Sequence, residues 1–444
     1  MKGISMKKIY KRILIMALPI AFENMIFSLI NFVDIFMIGK IGTSAISALG
    51  IANQVFFIFT CSVYGLLSGA NVLAAQYYGV KNYKNLRKIM TLTIGLGLLM
   101  SLPFFILINH SPENVITFYT KDSMVIEYAK QYLKYSIYTF PLFSIGFSFA
   151  MQLRAINKPK YSLYSSMSAL VINVVLNMIL IPRYGVQGAA IATLIARIVT
   201  TIYLYIILII KRIPILPKVR EFKDIDIEFT KKLLAISVLT FVHELLWVIA
   251  DAMKVMMFGS LGTEAFSGIQ IVIGINGLLF TLFIGLSNAS SIIIGNEIGK
   301  SDREKVYRYA NDCLKLYTIF TVIVVIALNI FSPIVLRFMN LDSNMYSITR
   351  KLVYSQSISM VFYSYSMLYL SGILRAGGDV MFCMVVELLI MWIVGIPLTY
   401  ISINVFHLSV YYVYIVARID DLIKLYPCIR RYVSKEWIKR KIWV

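Results

Sequence analysis

The sequence predicts an all-α polytopic membrane protein, with twelve transmembrane helices in two pseudo-symmetric six-helix lobes around a central cavity. Three observations predict it. The 444 residues are 59% hydrophobic and only 15% charged, whereas soluble chains sit nearer half apolar and a quarter charged. Apolar runs such as MTLTIGLGLLMSLPFFILI and LYTIFTVIVVIALNIF have the length needed to cross ~30 Å of hydrocarbon at ~1.5 Å per residue. The third observation is an internal repeat.

The apolar runs place twelve helices at about 13–38, 46–75, 88–109, 127–151, 161–181, 186–210, 232–258, 264–295, 307–331, 352–374, 380–403 and 408–427. The basic opening MKGISMKKIYKR suits a signal peptide, but no small-residue cleavage site follows the apolar stretch, which reads as a retained first helix. With the N-terminus inside, the inner segments hold 31 Lys and Arg residues and the outer loops six. That asymmetry is a positive-inside bias, and it places both termini in the cytoplasm. The net charge of +21 therefore sets orientation, and no nucleic-acid partner is expected.

Sliding the chain along itself until Gly39 meets Gly259 lays GKIGTSA (39–45) on GSLGTEA (259–265). A slide one position longer lays LRA (153–155) on LRA (374–376) and ARI (196–198) on ARI (417–419). One offset, changing by a single position, relates the two halves. Six crossings per half give both the same orientation, related by an axis along the membrane normal. The expected organisation is an N-terminal lobe over 1–210, a cytoplasmic connector over 211–231, a C-terminal lobe over 232–427 and a basic tail over 428–444. Two lobes facing a cavity are a transporter plan. Four cysteines without ligand spacing (Cys61, Cys313, Cys383, Cys428) and three histidines give no disulfide framework or metal centre. HELLW (243–247) opens like a zinc motif but lacks the second histidine.

Helix 1 carries carboxylates in an apolar run. At ~100° per residue, Glu23, Asp34, Asn31 and Asn24 all fall within one arc of about 100°. This arc must face protein or water, because lipid imposes a large desolvation cost. The first slide carries Glu23, Asn24, Asn31 and Asp34 onto His243, Glu244, Asp251 and Lys254. Asp251 and Lys254 are three apart and expected to pair, as are Arg418 and Asp421. Arg197, about 13 residues from the inner end of helix 6, matches Glu23 in depth and is expected to pair with it. Asp34 is then left without a counter-charge and becomes the candidate ion-coupling acid. Arg154 and Arg375 end helices beside tight turns and read as turn-stabilising. Asn53, Gln54, Gln270 and Asn276 are candidate cavity-lining residues, with Glu23, Asn31 and Asp251. Tyr363, with Tyr365 and Tyr369, offers a cation–π face.

The stretch LPIAFENMIFSLINFVDIFMIGKIGTSAISALGIANQ (18–54) resembles the first-helix signature of the MATE family, the multidrug and toxic compound extrusion transporters. HELLW resembles the acid-then-tryptophan pattern of one bacterial branch, and LRAINKP and LRAGGD resemble its paired loop motifs. The resemblance covers essentially the whole chain. It implies a cation-coupled antiporter in the cell membrane that exports organic, mostly cationic compounds by alternating access, in exchange for H⁺ or Na⁺; since one chain supplies both lobes, a monomer would suffice. No cofactor other than the coupling ion is expected. The family's first-helix aspartate matches Asp34, its bend proline Pro19 and its helix-7 acid Glu244. The chain departs from the family pattern in three places: helix 10 (352–374) has no carboxylate, Glu23 stands where glutamine is common, and helix 6 has Arg197 but no acid. Two rival functions are a lipid-linked oligosaccharide flippase of similar plan, which calls for unpaired cations, and an intramembrane enzyme. For the enzyme the sequence supplies no nucleophile–base or metal set.

Overall fold

The computed structural model describes residues 6–39, 41–217, 226–300, 303–338, 341 and 343–439. Among these residues the chain forms helices and turns and no strand. The order is α1 (Met6–Ile38), α2 (Thr43–Gly79), α3 (Tyr83–His110), α4 (Pro112–Thr117), α5 (Ser123–Ser136), α6 (Thr139–Ala155), α7 (Lys160–Tyr184) and α8 (Val186–Ile210). It continues with α9 (Ile227–Gly259), α10 (Thr263–Gly299), α11 (Arg303–Phe338) and α12 (Ser343–Met367), which runs on as a π-helical stretch over Leu368–Leu374. Then come α13 (Val380–Ile390), a second π stretch (Met391–Gly395), α14 (Ile396–Asn404), α15 (Val410–Val416) and α16 (Ile419–Val433). Part of the expected connector (218–225) and the end of the tail (440–444) lie outside the described residues.

The twelve expected helices all fall on helical segments, most of which run further at their polar ends. Apolarity stops at the first charge, but the helix does not. In α3, for example, Asn82 caps a helix whose first two turns include Lys84 and Arg87, its side chain accepting a 3.1 Å hydrogen bond from the Asn85 amide. Among the described residues ten helices are long and apolar enough to span a bilayer, or eleven if the bent pair α5–α6 is one span.

Two expected helices are broken. The fourth bends by 49° between α5 and α6, where Pro141 supplies no N–H for the Ile137 carbonyl. The twelfth (408–427) is split into α15 and α16, with Arg418 at the break and Asp420, Asp421 and Lys424 in the turns beyond it. Residues 428–433, assigned to the tail by sequence, are still helix in α16.

The chain divides into two compact units, one of residues 22–241 and one of residues 242–444 with 1–21. The dividing lines fall inside α1, just beyond Pro19, and inside α9. In the first unit the Phe59 ring packs on Phe140 at 4.7 Å, tilted by 33°, and meets Phe104 edge-on at 5.3 Å. Gly188 lets α8 fold back on α7, since a Cβ there would lie 2.3 Å from the Leu180 carbonyl oxygen. Close backbone approach of this kind is how helices pack where lipid removes the usual apolar driving force. In the second unit Trp437 lies against Gly377, and the Lys439 amide bonds to the Gly377 carbonyl at 2.9 Å.

The repeat is visible in backbone geometry. Gly42 and Gly262, which the repeat superposes, precede α2 and α10 with φ of 142° and 96°. Asn157 and Gly378, matched by the slide one position longer, lie within the paired loop motifs with φ of 61° and 84°. These are conformations that favour glycine or asparagine.

Candidate functional site

In the unit of residues 22–241, Asp34 is 3% exposed. Asn177 on α7 donates to its Oδ1 at 2.6 Å, and the Thr193 hydroxyl on α8 to its Oδ2 at 3.4 Å. Asn177 also bonds Asn173 at 3.1 Å, one helical turn away, and Asn173 bonds Thr193 at 3.1 Å. The carboxylate thus sits in a shell of neutral amides and a hydroxyl. Among the described residues it forms no ion pair. Such a shell can hold the group charged through its donors, or accept a bound ion without breaking a salt bridge.

Glu23 does not pair with Arg197 as depth along straight helices suggested. Its Oε1 lies 2.8 Å from Arg154 Nη2, and both side chains are almost fully buried. Arg154 is therefore more than a turn stabiliser: α6 ends close enough to α1 for the guanidinium to reach across. Arg197 instead sits over the rings of Phe27, Phe56 and Phe143 at 5.1, 5.8 and 5.3 Å, an arrangement that stabilises a cation without a carboxylate. Glu23, Phe27, Phe143 and Arg197 line a cavity of about 40 Å³. Asn31 and Gln54 are exposed and Asn53 half-buried. Asn31 thus falls outside the buried arc of Glu23 and Asp34.

The other unit holds a larger charged set. Asp251 and Lys254 do not pair, nor do Arg418 and Asp421. Lys254 bonds the Ala417 carbonyl at 2.7 Å and Asp420 at 3.0 Å, satisfying a carbonyl left free where α15 stops. Asp421 and Asp420 are held by Lys424, at 3.2 and 2.8 Å, within the first turns of α16. Arg418 faces Asp251 at 3.8 Å. The local i,i+3 partners lose because the break at Ala417 turns α16's acidic first turn toward α9. Lys254, Asp251, Arg418, Asn276 and Tyr363 share a cavity of about 170 Å³. In its wall Gln356 bonds Asn276 at 2.6 Å, and Arg418 lies 5.8 Å from the Tyr363 ring. Gln270 is exposed. Glu244 lies beside His243 and Arg375, at 3.4 and 3.5 Å, and His243 bonds Glu387 on α13 at 2.8 Å.

Sequence reasoning missed Asn173, Asn177, Thr193 and Glu387. Asn173 and Asn177 stand four apart in VINVVLNMILI, and Glu387 stands alone in CMVVELLIMW. The reasoning that singled out Asp34, a polar group isolated in hydrocarbon, applies to each of those three.

A family model described as MatE matches residues 19–179 and 238–401. The chain is 24% identical to "Probable multidrug resistance protein NorM" of Thermotoga maritima, over 98% of this chain and 94% of that one. It is 21% identical to "Probable multidrug resistance protein YoeA" of Bacillus subtilis, over 89% and 88%. Its fold matches a structure titled "Outward-facing conformation of a multidrug resistance MATE family transporter of the MOP superfamily" with a TM-score of 0.86, at 17% identity over 98% of this chain and 100% of that one. A MOP superfamily transporter from Pyrococcus furiosus matches with a TM-score of 0.84, at 18% identity over 98% and 100%. The twelve-helix, two-lobe design, its duplication and these matches lead to one conclusion: the chain belongs to the MatE family of multi-pass membrane transporters, and it is not an enzyme.

Proposed function

We propose that this transporter exports organic cations in exchange for H⁺ or Na⁺ by alternating access, and that ion and cargo compete for the Asp34 carboxylate. The observation that carries the reading is the neutral hydrogen-bonding shell around a buried acid. A carboxylate already locked to a guanidinium, as Glu23 is, has no charge to offer cargo. A buried one without a cation partner changes its charge state with the ion outside. The coupling ion drives the cycle only by binding one state better than the other. The names of the relatives, probable multidrug resistance proteins, support a broad organic cargo. Glu244 is the candidate for a second coupling acid. The positive-inside bias supports cytoplasmic termini in the cell membrane, and one chain supplies both lobes, so a monomer suffices.

The test is ethidium efflux into everted vesicles with a pH gradient and a sodium gradient imposed separately. One of the two gradients should drive uptake. Accumulation driven by neither gradient would remove cation-coupled export.

A further inference from the structure

We propose that Nδ1 of His243 is a second proton-binding site, at which a proton and the Arg375 guanidinium exclude one another. The repeat brings the position to notice, since it relates Glu23 to His243 and Arg154 to Arg375. In the unit of residues 22–241 the pair is a fixed 2.8 Å salt bridge. In the other unit the same two positions also meet, but a titratable base has replaced the acid.

The tautomer follows from the partners. Arg375 Nη2 lies 3.2 Å from His243 Nδ1. A guanidinium only donates, so Nδ1 accepts through its lone pair and the ring is neutral. Its one proton then sits on Nε2, which donates to Glu387 Oε2 at 2.8 Å. A further acceptor waits beside Nδ1: Glu244 Oε1 is 3.4 Å from it and 3.5 Å from Arg375 Nη1.

A proton from hydronium adds to the Nδ1 lone pair, forms an N–H bond and raises the ring's charge by one. Nδ1 then donates, so the Arg375 bond is lost and the new N–H turns to Glu244. The charged groups facing the ring are Glu244 from its own helix α9, Glu387 from α13 and Arg375 at the end of the π-helical stretch. Lys424 from α16 acts on Glu387 from beyond. Two carboxylates against one guanidinium leave a deficit of one positive charge, which the imidazolium fills. The ring is only 4% exposed, but Glu244 and Glu387 are 18% and 15% exposed, which gives a proton a way in.

The consequence reaches the turn that follows. Arg375 opens the Arg375–Asp379 turn, where Asp379 accepts from Arg431 at 2.7 Å and Lys439 at 2.6 Å, and Trp437 covers Gly377. Protonation of His243 removes one of the contacts that hold Arg375 beside that turn. This site stands whether Asp34 takes H⁺ or Na⁺.

Nitrogen NMR of the full chain in detergent, labelled at its histidine rings, reads the site without any transport. His243→Gln identifies the signal among the three histidines. The Nε2–H tautomer should give way to imidazolium as pH is lowered from about 10 to about 5, a span that brackets the range in which histidine responds. Glu244→Gln, which removes the negative charge beside the charged form, should cut the imidazolium-to-neutral ratio at a given pH about tenfold or more. Arg375→Gln, which removes the competitor, should raise it and serves if the first variant does not fold. A His243 ring that keeps one protonation state throughout, or a ratio that neither variant moves, overturns the proposal.

Discussion

Asn177 reaches from α7 to Asp34 on α1 with a 2.6 Å hydrogen bond, the shortest contact the buried carboxylate makes. It is a side chain whose removal changes Asp34's surroundings without changing Asp34. Asn177→Leu leaves Oδ1 without its main donor, at a cost of about 1–3 kcal/mol for an unsatisfied buried group. Ethidium export should fall about tenfold, while size-exclusion behaviour in detergent stays that of the wild type. Export at the wild-type rate would show that the shell does not support the acid's role.

The Glu23–Arg154 pair is buried on both sides, so its halves should be worth more apart than together. Arg154→Met strands a carboxylate and should lower stability by about 3–5 kcal/mol, whereas the double change Glu23→Gln with Arg154→Met should recover most of that loss. Thermal unfolding in detergent checks it. A double variant as unstable as the single one would contradict the pairing.

Lys254 and Asp251 should separate cleanly. Lys254→Met removes a charge from Asp420 and the donor to the Ala417 carbonyl, and should cost about 2 kcal/mol or more. Asp251→Asn loses only a 3.8 Å contact between partly exposed groups and should cost under about 1 kcal/mol. Equal losses in thermal unfolding would restore the i,i+3 pair that sequence spacing suggests.

Asp226 offers a pH test outside the membrane. Its Oδ1 accepts from the Phe229 amide at 2.5 Å at the start of α9. That bond, followed by the Lys88 ammonium at 3.7 Å, holds its carboxyl below the usual aspartate range. A depressed carboxyl stabilises the cap above its unfolded value of about 3.9 and loses that contribution as pH falls through the folded value. Protection of the Phe229 amide from hydrogen exchange, taken relative to the intrinsic rate at each pH, should therefore fall below about pH 4, and Asp226→Ala should show the reduced protection at neutral pH. Protection insensitive to both would remove the cap.

The fold was legible because membrane helices announce themselves. The apolar run fixes a span, and a shared offset between LRAINKP and LRAGGD exposes duplication whatever the packing. Asp34 was legible for a related reason: an acid in hydrocarbon stands out. Partners were less so. Spacing along one helix suggested Asp251 with Lys254, and depth suggested Glu23 with Arg197, yet both pairings are decided by where helices break or bend. Neither the break at Ala417, which aims Asp420 at Lys254, nor the closeness of α6's end to α1 follows from any local pattern. Arg197's cage of three phenylalanines was equally hidden, since its rings come from three helices.

The most direct test of the central claim is ethidium binding to the purified protein, followed by fluorescence polarisation, for the wild type and Asp34→Asn. Lowering pH or adding Na⁺ should displace ethidium from the wild type, and the variant should bind it at least tenfold more weakly, with no response to either ion. A variant that binds ethidium like the wild type, and releases it to the same ion at the same concentration, would contradict competition at Asp34.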